Sequence, residues 1–457
     1  MPQFRNCVIL NIIMKSGINS KSFDPGEIIL NPASQNSAAD PHRWVVFGTF
    51  AAVYFFVYFH RVSTSVVAPD LIVSFQTHAT ALGLMSSMYF YAYALEQPLV
   101  GYLSDRLGPR RVVGLWSLVA ALGCILFGLA PSITWASIGR GLIGFGVGGV
   151  YVPALKAFSQ WFRQKEFTTM IGLLMAIGNM GAIVATTPLA LSSKAFGWRM
   201  SFFLIAVITL SLAIFALLFT RDYDPAVRDD KNHAAKPVEE SATSRKQIRF
   251  ILTSIKFWVL FVIFFGSYGI FMTLQGLWAT PYLMSVLHAD RLQASQLNMV
   301  LPVGFMLGAP LFGWIADRIH TKKPHLFIGL LAVVAFFWLI LSLRAQTLSA
   351  RELVVLFFAM GTMTGGWLSV LWALVRETTP VNIMGFISGA MNPSAFFGVA
   401  FFQVLTGAVL DQVGRGNGAY PPEAFQMAFW VCTLTSAGCL VLSFILKISW
   451  SQEQLLK

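Results

Sequence analysis

Long apolar runs separated by short polar segments follow one another along the chain from about residue 43 onward. A helix that crosses a bilayer needs about 20 consecutive apolar residues. The runs therefore predict twelve transmembrane helices, six on each side of a long polar stretch. The predicted spans are 44–68, 79–103, 112–130, 134–156, 167–191, 199–220, 256–285, 292–316, 324–343, 352–375, 384–410 and 422–447.

The composition supports a membrane protein and excludes an ordinary soluble enzyme. Of the 457 residues, 56% are hydrophobic and 11% are charged, whereas soluble domains carry about a quarter charged residues. The net charge of +12 would suggest a nucleic-acid partner in a soluble protein. Here the bases lie between apolar runs, where they determine topology. We therefore expect a lipid bilayer as the surroundings and no nucleic-acid partner.

The distribution of basic residues predicts the orientation. Cytoplasmic loops retain Lys and Arg, and the loops after even-numbered spans are rich in them, whereas the loop at 70–80 has none. The bases in question are Arg106, Arg110, Arg111, Arg163, Lys165, Arg318, Lys322 and Lys323. We expect both termini to be cytoplasmic. The chain has no Asn-x-Ser/Thr acceptor site, which fits a bacterial inner membrane.

The spans and the orientation divide the chain into five regions. The apolar run at 8–14 is too short to cross a membrane, and either Met1 or Met14 is the start of the protein. The predicted regions are a cytoplasmic N-terminal tail (1–42), an N-terminal six-helix bundle (43–220), a cytoplasmic linker (221–255), a C-terminal six-helix bundle (256–448) and a cytoplasmic C-terminal tail (449–457).

An internal repeat relates the two groups of helices. Residues 101–111 follow the second span and residues 313–323 follow the eighth, at an offset of 212. The same offset pairs Asp105 with Asp317, Arg106 with Arg318, and Pro69 with Pro281 at the outer ends of spans one and seven. Two copies in register indicate a duplicated six-helix unit.

Three motifs resemble those of the major facilitator superfamily. The segment G-x-L-x-D-R-x-G-x-R-R at 101–111 resembles its loop motif, and Arg140 with the glycine-rich run 141–149 resembles its fourth-helix motif. Gly197-Trp198-Arg199 is also typical of it. The resemblance implies an all-α membrane fold of two six-helix bundles around a central cavity, working by alternating access.

The first span resembles one branch more than others. Tyr58-Phe-His60-Arg61, followed by Ser65 and Pro69, is similar to the anion:cation symporters and, more distantly, to the organophosphate antiporters. In those branches an Arg at the position of Arg61 binds the acidic group of the substrate. The symporters often have an acid where this chain has His60.

Arg61 is the main substrate-binding candidate. A charge inside the membrane costs about 2.5–3.5 kcal/mol on insertion scales, which makes it a functional candidate. Tyr54 and Tyr58 share its helix face, and a guanidinium among phenols suits a carboxylate or phosphate. A purely structural arginine is the alternative. Gln275 and Asn392 supply the expected polar groups from the second half.

Glu96 and His60 are the candidates for ion coupling. A buried carboxyl or an imidazole can carry a proton near neutral pH, although sodium remains open as the coupling ion. The alternatives are that Glu96 is a structural partner of Arg140 or Lys156, and that His60 is an interface residue.

The loop motif and the fourth-helix arginine are the gating candidates. A carboxylate at a helix end can pair with nearby bases or a helix N-terminus, and contacts across the halves would bias a two-state assembly. A topological anchor is the alternative. The gating candidates are Asp105, Arg106, Arg110, Arg140, Asp317 and Arg318.

These features together predict a secondary active transporter that takes up a small organic anion with an ion, most simply a proton. An exporter of metabolites or drugs by exchange is the first alternative, and a membrane sensor without net transport is the second. No HExxH, GxSxG or phosphate-cradling motif is present, so we expect no enzyme activity and no cofactor. The four cysteines form no CxxC pair, which predicts no metal site. Nothing requires more than a monomer.

Overall fold

The computed structural model describes residues 41–222, 253–319, 323–378, 384–415 and 419–455. The helices below all belong to one unit, His42–Lys457. Residues 1–40 of the predicted N-terminal tail, most of the predicted linker and Lys322 lie outside the described residues.

The N-terminal half consists of six membrane-spanning stretches built from seven helices. Each apolar run forms a helix because only helices satisfy every backbone polar group within the segment in a bilayer. The helices are α1 (His42–Phe75), α2 (Ala79–Leu107), α3 (Pro109–Leu129), α4 (Ile133–Gly148), α5 (Tyr151–Trp161), α6 (Gln164–Val184) and α7 (Thr187–Phe219).

The C-terminal half begins with an irregular helix. Its first membrane stretch contains two turns of π-helix, which commonly occur at functional sites. The elements of this stretch are α8 (Ile255–Ile263), a π-turn (Phe264–Tyr268), α9 (Gly269–Thr273), a second π-turn (Leu274–Trp278) and α10 (Ala279–Leu287). The remaining helices are α11 (Arg291–Asn298), α12 (Val300–Arg318), α13 (Lys323–Arg344), α14 (Ala350–Thr378), α15 (Met384–Val413) and α16 (Pro422–Leu455).

Ten stretches of the described chain are long and apolar enough to cross a membrane. The helices α2 and α6 are not among the ten, and the apolar part of α6 is the shorter segment Thr169–Val184. With these two helices the fold is the expected all-α arrangement of about twelve membrane helices in two groups of six. The chain is an integral membrane protein that crosses the bilayer several times.

The structure corrects several predicted boundaries. Helix α1 continues through Pro69 to Phe75 instead of ending near residue 68, because membrane helices tolerate proline. The predicted fifth span reaches residue 191, but α6 ends at Val184. The next helix starts at Thr187 and bends at Gly197, where φ is +81°. Hydropathy is insensitive to the break between α6 and α7, since Val184, Ala185 and Thr186 are apolar or small.

The molecule has two ends along the membrane helices, and each is named after one residue that lies there. The "Asp70 end" contains the C-terminal part of α1 and the start of α2. The "Asp105 end" contains the last turn of α2 and the start of α3. The two halves meet along α2 and α15, and along α1 and the second π-turn.

Candidate functional site

Arg61 lies buried at the interface between the halves, inside a cage of aromatic rings. Its guanidinium carbon is 4.4 Å from the ring centroid of Tyr58, 5.2 Å from that of Tyr93 and 5.1 Å from that of Phe396. Tyr268 also lies close enough to interact with it. No carboxylate of the described chain forms an ion pair with Arg61. Its guanidinium also hydrogen-bonds the side chains of Tyr89 and Tyr268. A buried cation whose described partners are all aromatic side chains retains its capacity for an anion.

The second π-turn brings the C-terminal half against Arg61. Gly276 faces the Arg61 backbone so closely that a Cβ at this position would lie 2.6 Å from the Arg61 carbonyl oxygen. Its neighbour Gln275 is buried in the same turn. The structure thus places Gln275 on the segment that contacts α1 next to Arg61, and its role as a substrate-facing amide stays a prediction.

The other predicted substrate-binding residues surround the cage. The Tyr54 and Tyr58 hydroxyls point at the sulfur of Met175, at 3.5 and 3.9 Å. Tyr54 also stacks on Tyr151 with ring centroids 5.6 Å apart. Asn392 is half-buried and lies one helical turn from Phe396, so both share a face of α15. The site therefore combines one cation, phenols from both halves and two amides from the C-terminal half.

Glu96 lies one turn from Tyr93 on α2, on the Asp105 side of the cage. Its Oε2 atom accepts a hydrogen bond of 2.8 Å from the Trp116 indole, and its Oε1 atom has no partner among the described residues. The side chain is 3% exposed. Its Oε1 lies where a Cβ at Gly148 would be, so α4 leaves space for the carboxyl only because that position is glycine.

Glu96 does not pair with Arg140 or Lys156, the two bases that the sequence suggested as its structural partners. Lys156 donates to the Asp105 carboxylate at 2.7 Å, and Arg140 donates through both terminal nitrogens to the His60 carbonyl oxygen at 3.1 Å. The structural-partner alternative for Glu96 is therefore wrong in this conformation, since both bases are engaged elsewhere.

His60 points away from the Arg61 cage, into the interior of the N-terminal half. It is fully buried, its Nε2 atom lies 3.6 Å from the Cys124 sulfur, and its Nδ1 atom has no partner among the described residues. Arg140 is equally buried, with its guanidinium carbon 4.9 Å from the Tyr89 ring centroid. Neighbours in sequence, His60 and Arg61 thus face different surroundings.

Two carboxylates that sequence reasoning missed join the halves at the Asp70 end. Asp70 binds the Arg291 guanidinium of α11 through both oxygens, one of them at 2.6 Å. Asp411 of α15 accepts from the backbone N–H groups of Ala79 and Thr80, at 2.9 and 2.8 Å, and so caps the start of α2. Charges one or two residues beyond the predicted ends of spans were the available signal, but their partners are distant in sequence.

A buried polar cluster lies between these contacts and Arg61. The Asn298 side-chain amide donates to Ser65 at 3.3 Å, to Thr280 at 3.2 Å and to the Gln275 carbonyl oxygen at 3.3 Å. Ser65 in turn donates to Thr280 at 3.1 Å. The cluster ties α1 to α10 and α11. The Asp70 end is therefore closed by contacts between the halves.

At the Asp105 end, the described contacts of the loop motif stay within one half. Besides the Asp105–Lys156 ion pair, the Arg110 guanidinium donates to the Leu217 carbonyl oxygen and its backbone N–H to Asp222 at 2.8 Å. Cross-half contacts by Asp105 were expected, and its described partner belongs to its own half in this conformation. Asp222, from the predicted linker, is a member of this network that the sequence did not indicate.

The repeat is visible in the side-chain contacts as well. Arg106 lies 4.6 Å from the Tyr102 ring centroid, and Arg318 lies 3.6 Å from that of Trp314. These two pairs are related by the same offset of 212 residues. Asp317 is exposed at its helix end.

Among the described residues, no group of three or more His, Cys, Asp and Glu side chains is placed to hold a metal ion.

Comparison with known proteins finds a matching family model and several related transport proteins. The family model described as Major Facilitator Superfamily matches residues 50–395 and 268–449. A probable sulfoacetate transporter of Cupriavidus necator is 25% identical, over 81% of this chain and 88% of that protein. A hexuronate transporter of Bacillus subtilis is 26% identical, over 79% and 87%. A membrane sensor protein of Escherichia coli is 22% identical, over 78% and 84%.

Solved structures share the fold at low sequence identity. A bacterial homologue of the human lysosomal transporter Spinster, in an inward-facing and occupied conformation, superposes with a TM-score of 0.70 at 18% identity, covering 89% of this chain and 97% of that one. A nucleoside transporter superposes with a TM-score of 0.72 at 14% identity, covering 88% and 99%.

Proposed function

Because the chain belongs to the major facilitator superfamily, we propose that it is a secondary active transporter for a small organic anion. The observation that carries this proposal is Arg61, a buried cation between the halves with no described carboxylate partner. A bound anion would supply the missing charge through bidentate hydrogen bonds. The names of the sulfoacetate and hexuronate transporters support an acidic substrate.

The substrate would be held from both halves. Arg61 and the tyrosines at 54 and 58 would bind the acidic group from α1, while Gln275 and Asn392 would contact the body of the molecule from the other half. Contacts made to both halves at once let a ligand favour one arrangement of the bundles over another, which is the requirement for alternating access.

We propose uptake coupled to a proton, with Glu96 as the group that carries it. The support is its position: the carboxyl is buried one turn from the cage residue Tyr93 and has no cation among its described partners. A lone carboxylate in a low-dielectric interior is costly, so the neutral acid is the form that fits this place. His60 is the second candidate, but it faces away from the cage.

The proposed setting is a bacterial inner membrane with both termini in the cytoplasm, and a monomer as the working unit. The Asp105 end would then be cytoplasmic and the Asp70 end periplasmic. The closed contacts at the Asp70 end would make this conformation the one from which substrate leaves toward the cytoplasm.

Thermal unfolding of the detergent-purified protein tests the anion site. A ligand at 100 times its dissociation constant adds about 2.7 kcal/mol to the stability of the folded state. We expect stabilisation by an organic acid, retained in part by Arg61→Lys and lost in Arg61→Ala. Uptake of that acid by proteoliposomes under an inward proton gradient then tests transport. Stabilisation only by neutral or cationic compounds, unchanged in Arg61→Ala, would contradict the proposal and favour an exporter.

A sensor is the alternative that one relative supports, namely the membrane sensor protein of Escherichia coli. The flux assay separates the two functions. A ligand that binds at Arg61 but does not cross the proteoliposome membrane, with or without a gradient, would favour the sensor.

A further inference from the structure

Gln403 on α15 is fully buried, and neither its amide nitrogen nor its amide oxygen has a hydrogen-bond partner among the described residues. An amide offers two donors and a carbonyl acceptor. Burying these groups without hydrogen bonds opposes folding. An unpaired buried amide in a native protein therefore calls for a functional or structural explanation.

The position of Gln403 relates it to the Arg61 cage. Phe396 and Gln403 are seven residues apart and therefore share a face of α15. Since Phe396 touches the Arg61 guanidinium, Gln403 lies on the same face about 10 Å closer to the Asp70 end.

The surroundings of Gln403 place it inside the interface between the halves. Its neighbours on the same stripe of α15 bond to the seventh membrane stretch: Thr273 donates to the Val399 carbonyl oxygen at 3.5 Å, and the Trp278 indole donates to Thr406 at 2.8 Å. On another side, the Gln403 backbone contacts Gly83 of α2. Gln403 therefore lies between an N-terminal and a C-terminal helix.

Two further polar side chains are buried without a described hydrogen-bond partner. The hydroxyl oxygens of Thr64 on α1 and Ser86 on α2 are buried and have no partner among the described residues. Thr64 lies one turn beyond Arg61. Ser86 lies one turn from Gly83, on the face of α2 that meets α15. We call Ser86 and Gln403, on the two facing helices α2 and α15, the polar shelf.

Asn298 shows what a structural amide looks like in the same region. It is as deeply buried as Gln403, yet its amide nitrogen has three partners, of which Ser65 belongs to the other half, and only its Oδ1 atom has no partner among the described residues. The Gln403 side chain forms no such contact within the described part of the chain. The contrast separates an amide that holds helices from one whose hydrogen-bonding capacity is unused by the protein.

We propose that the polar shelf is a second substrate subsite, in which Gln403 hydrogen-bonds hydroxyl or carbonyl groups on the body of the acid whose anionic group binds Arg61. The inference rests on the proposed function and deepens it by naming the class: hydroxylated organic acids, in preference to acids of the same size with an apolar body. Unpaired polar groups in a site discriminate strongly against ligands that cannot pair with them.

The test uses Gln403→Leu in the full-length protein, with Asn298→Leu as the matched control. Binding is measured by thermal unfolding and titration calorimetry on pairs of acids that differ in hydroxyl groups: gluconate and hexanoate, glycerate and propionate, 3,4-dihydroxybenzoate and benzoate, isethionate and ethanesulfonate.

We expect the wild type to bind the hydroxylated member of at least one pair more tightly. Gln403→Leu should reduce that affinity tenfold or more and change the affinity of the unsubstituted partner by less than twofold. Because the variant removes an unpaired buried amide, its melting temperature without ligand should equal or exceed that of the wild type, whereas Asn298→Leu should lower it.

Three results would overturn the inference. The first is that no hydroxylated acid is preferred, and the second is that Gln403→Leu weakens both members of a pair equally. The third is a lower melting temperature of ligand-free Gln403→Leu, which would make Gln403 a structural amide. If no acid binds in an Arg61-dependent manner, the proposed function itself fails, and this outcome is distinct from the other three.

Discussion

The Asp70 carboxylate on α1 and the Arg291 guanidinium on α11 form a two-pronged ion pair that joins the halves of the molecule. Ser193 completes it by donating to Asp70 at 3.1 Å and accepting from Arg291 at 2.9 Å. The contact can exist only while the Asp70 end is closed. The ion pair therefore stabilises the arrangement of the bundles in which the Asp70 end is closed.

Arg291→Gln should shift that balance toward an open Asp70 end. About a quarter of each side chain is exposed, so we expect a modest effect, a shift of about 1 kcal/mol or fivefold in population. Labelling of Ser86→Cys by a membrane-impermeant maleimide from the Asp70 side should accelerate accordingly.

The swapped pair Asp70→Arg with Arg291→Asp is the control for this experiment. It should return the labelling rate toward that of the starting protein. An unchanged rate in Arg291→Gln would mean that other contacts, such as Asp411 on the start of α2, hold this end closed by themselves.

Glu96→Gln should separate proton coupling from substrate binding. The amide keeps the shape of the carboxyl but carries no proton to release. We expect uptake driven by a proton gradient to fall at least tenfold, while exchange of labelled for unlabelled substrate across proteoliposomes continues. Glu96→Asp should retain partial gradient-driven uptake. Full gradient-driven uptake by Glu96→Gln would exclude this residue as the proton carrier.

Gly276→Ala should destabilise the contact between α1 and the second π-turn. The added Cβ would lie 2.6 Å from the Arg61 carbonyl oxygen, and forced overpacking typically costs about 1–3 kcal/mol. We expect a lower melting temperature and weaker anion binding, measured together on the purified protein.

Gly48→Ala is the matched control on the same helix as Arg61. No atom lies within 4 Å of its added Cβ, and alanine favours a helix over glycine by about 1 kcal/mol. This variant should be as stable as the starting protein or more so. Equal behaviour of the two alanine variants would mean that the seventh stretch moves aside at no cost.

Asp105→Asn tests whether the loop motif acts as a switch or as an anchor. The substitution breaks the ion pair with Lys156, which ties α2 to α5 within one half. A switch predicts a changed transport rate and a changed labelling rate of Ser86→Cys. If both rates stay the same, the motif is a topological anchor.

The repeat, the helix count and the presence of a buried arginine in the first span were all predictable from the sequence. Apolar run length predicts spans because the bilayer has a fixed thickness, and the offset between the Asp105 and Asp317 motifs shows the duplication. An arginine inside an apolar run stands out because its burial is costly. The surrounding tyrosines on its own helix follow from helical periodicity.

The partners of these residues were not predictable in the same way. The pairing of Glu96 with Trp116, of Asp70 with Arg291 and of Lys156 with Asp105 depends on which helix faces which. Apolar runs contain little information on helix rotation, since a membrane helix may be hydrophobic on every side.

The sequence by itself determined that this chain crosses a membrane about twelve times, is a duplicated unit and carries a cation, Arg61, inside an apolar span. Bilayer thickness, helical periodicity and the cost of buried charge act locally along the chain, and local patterns record them. Only the tertiary structure decided that Phe396 closes the Arg61 cage, that His60 faces away from it and that the Gln403 amide has no partner in the part of the chain that the structure describes. These facts arise from packing between helices far apart in sequence, which no local pattern contains.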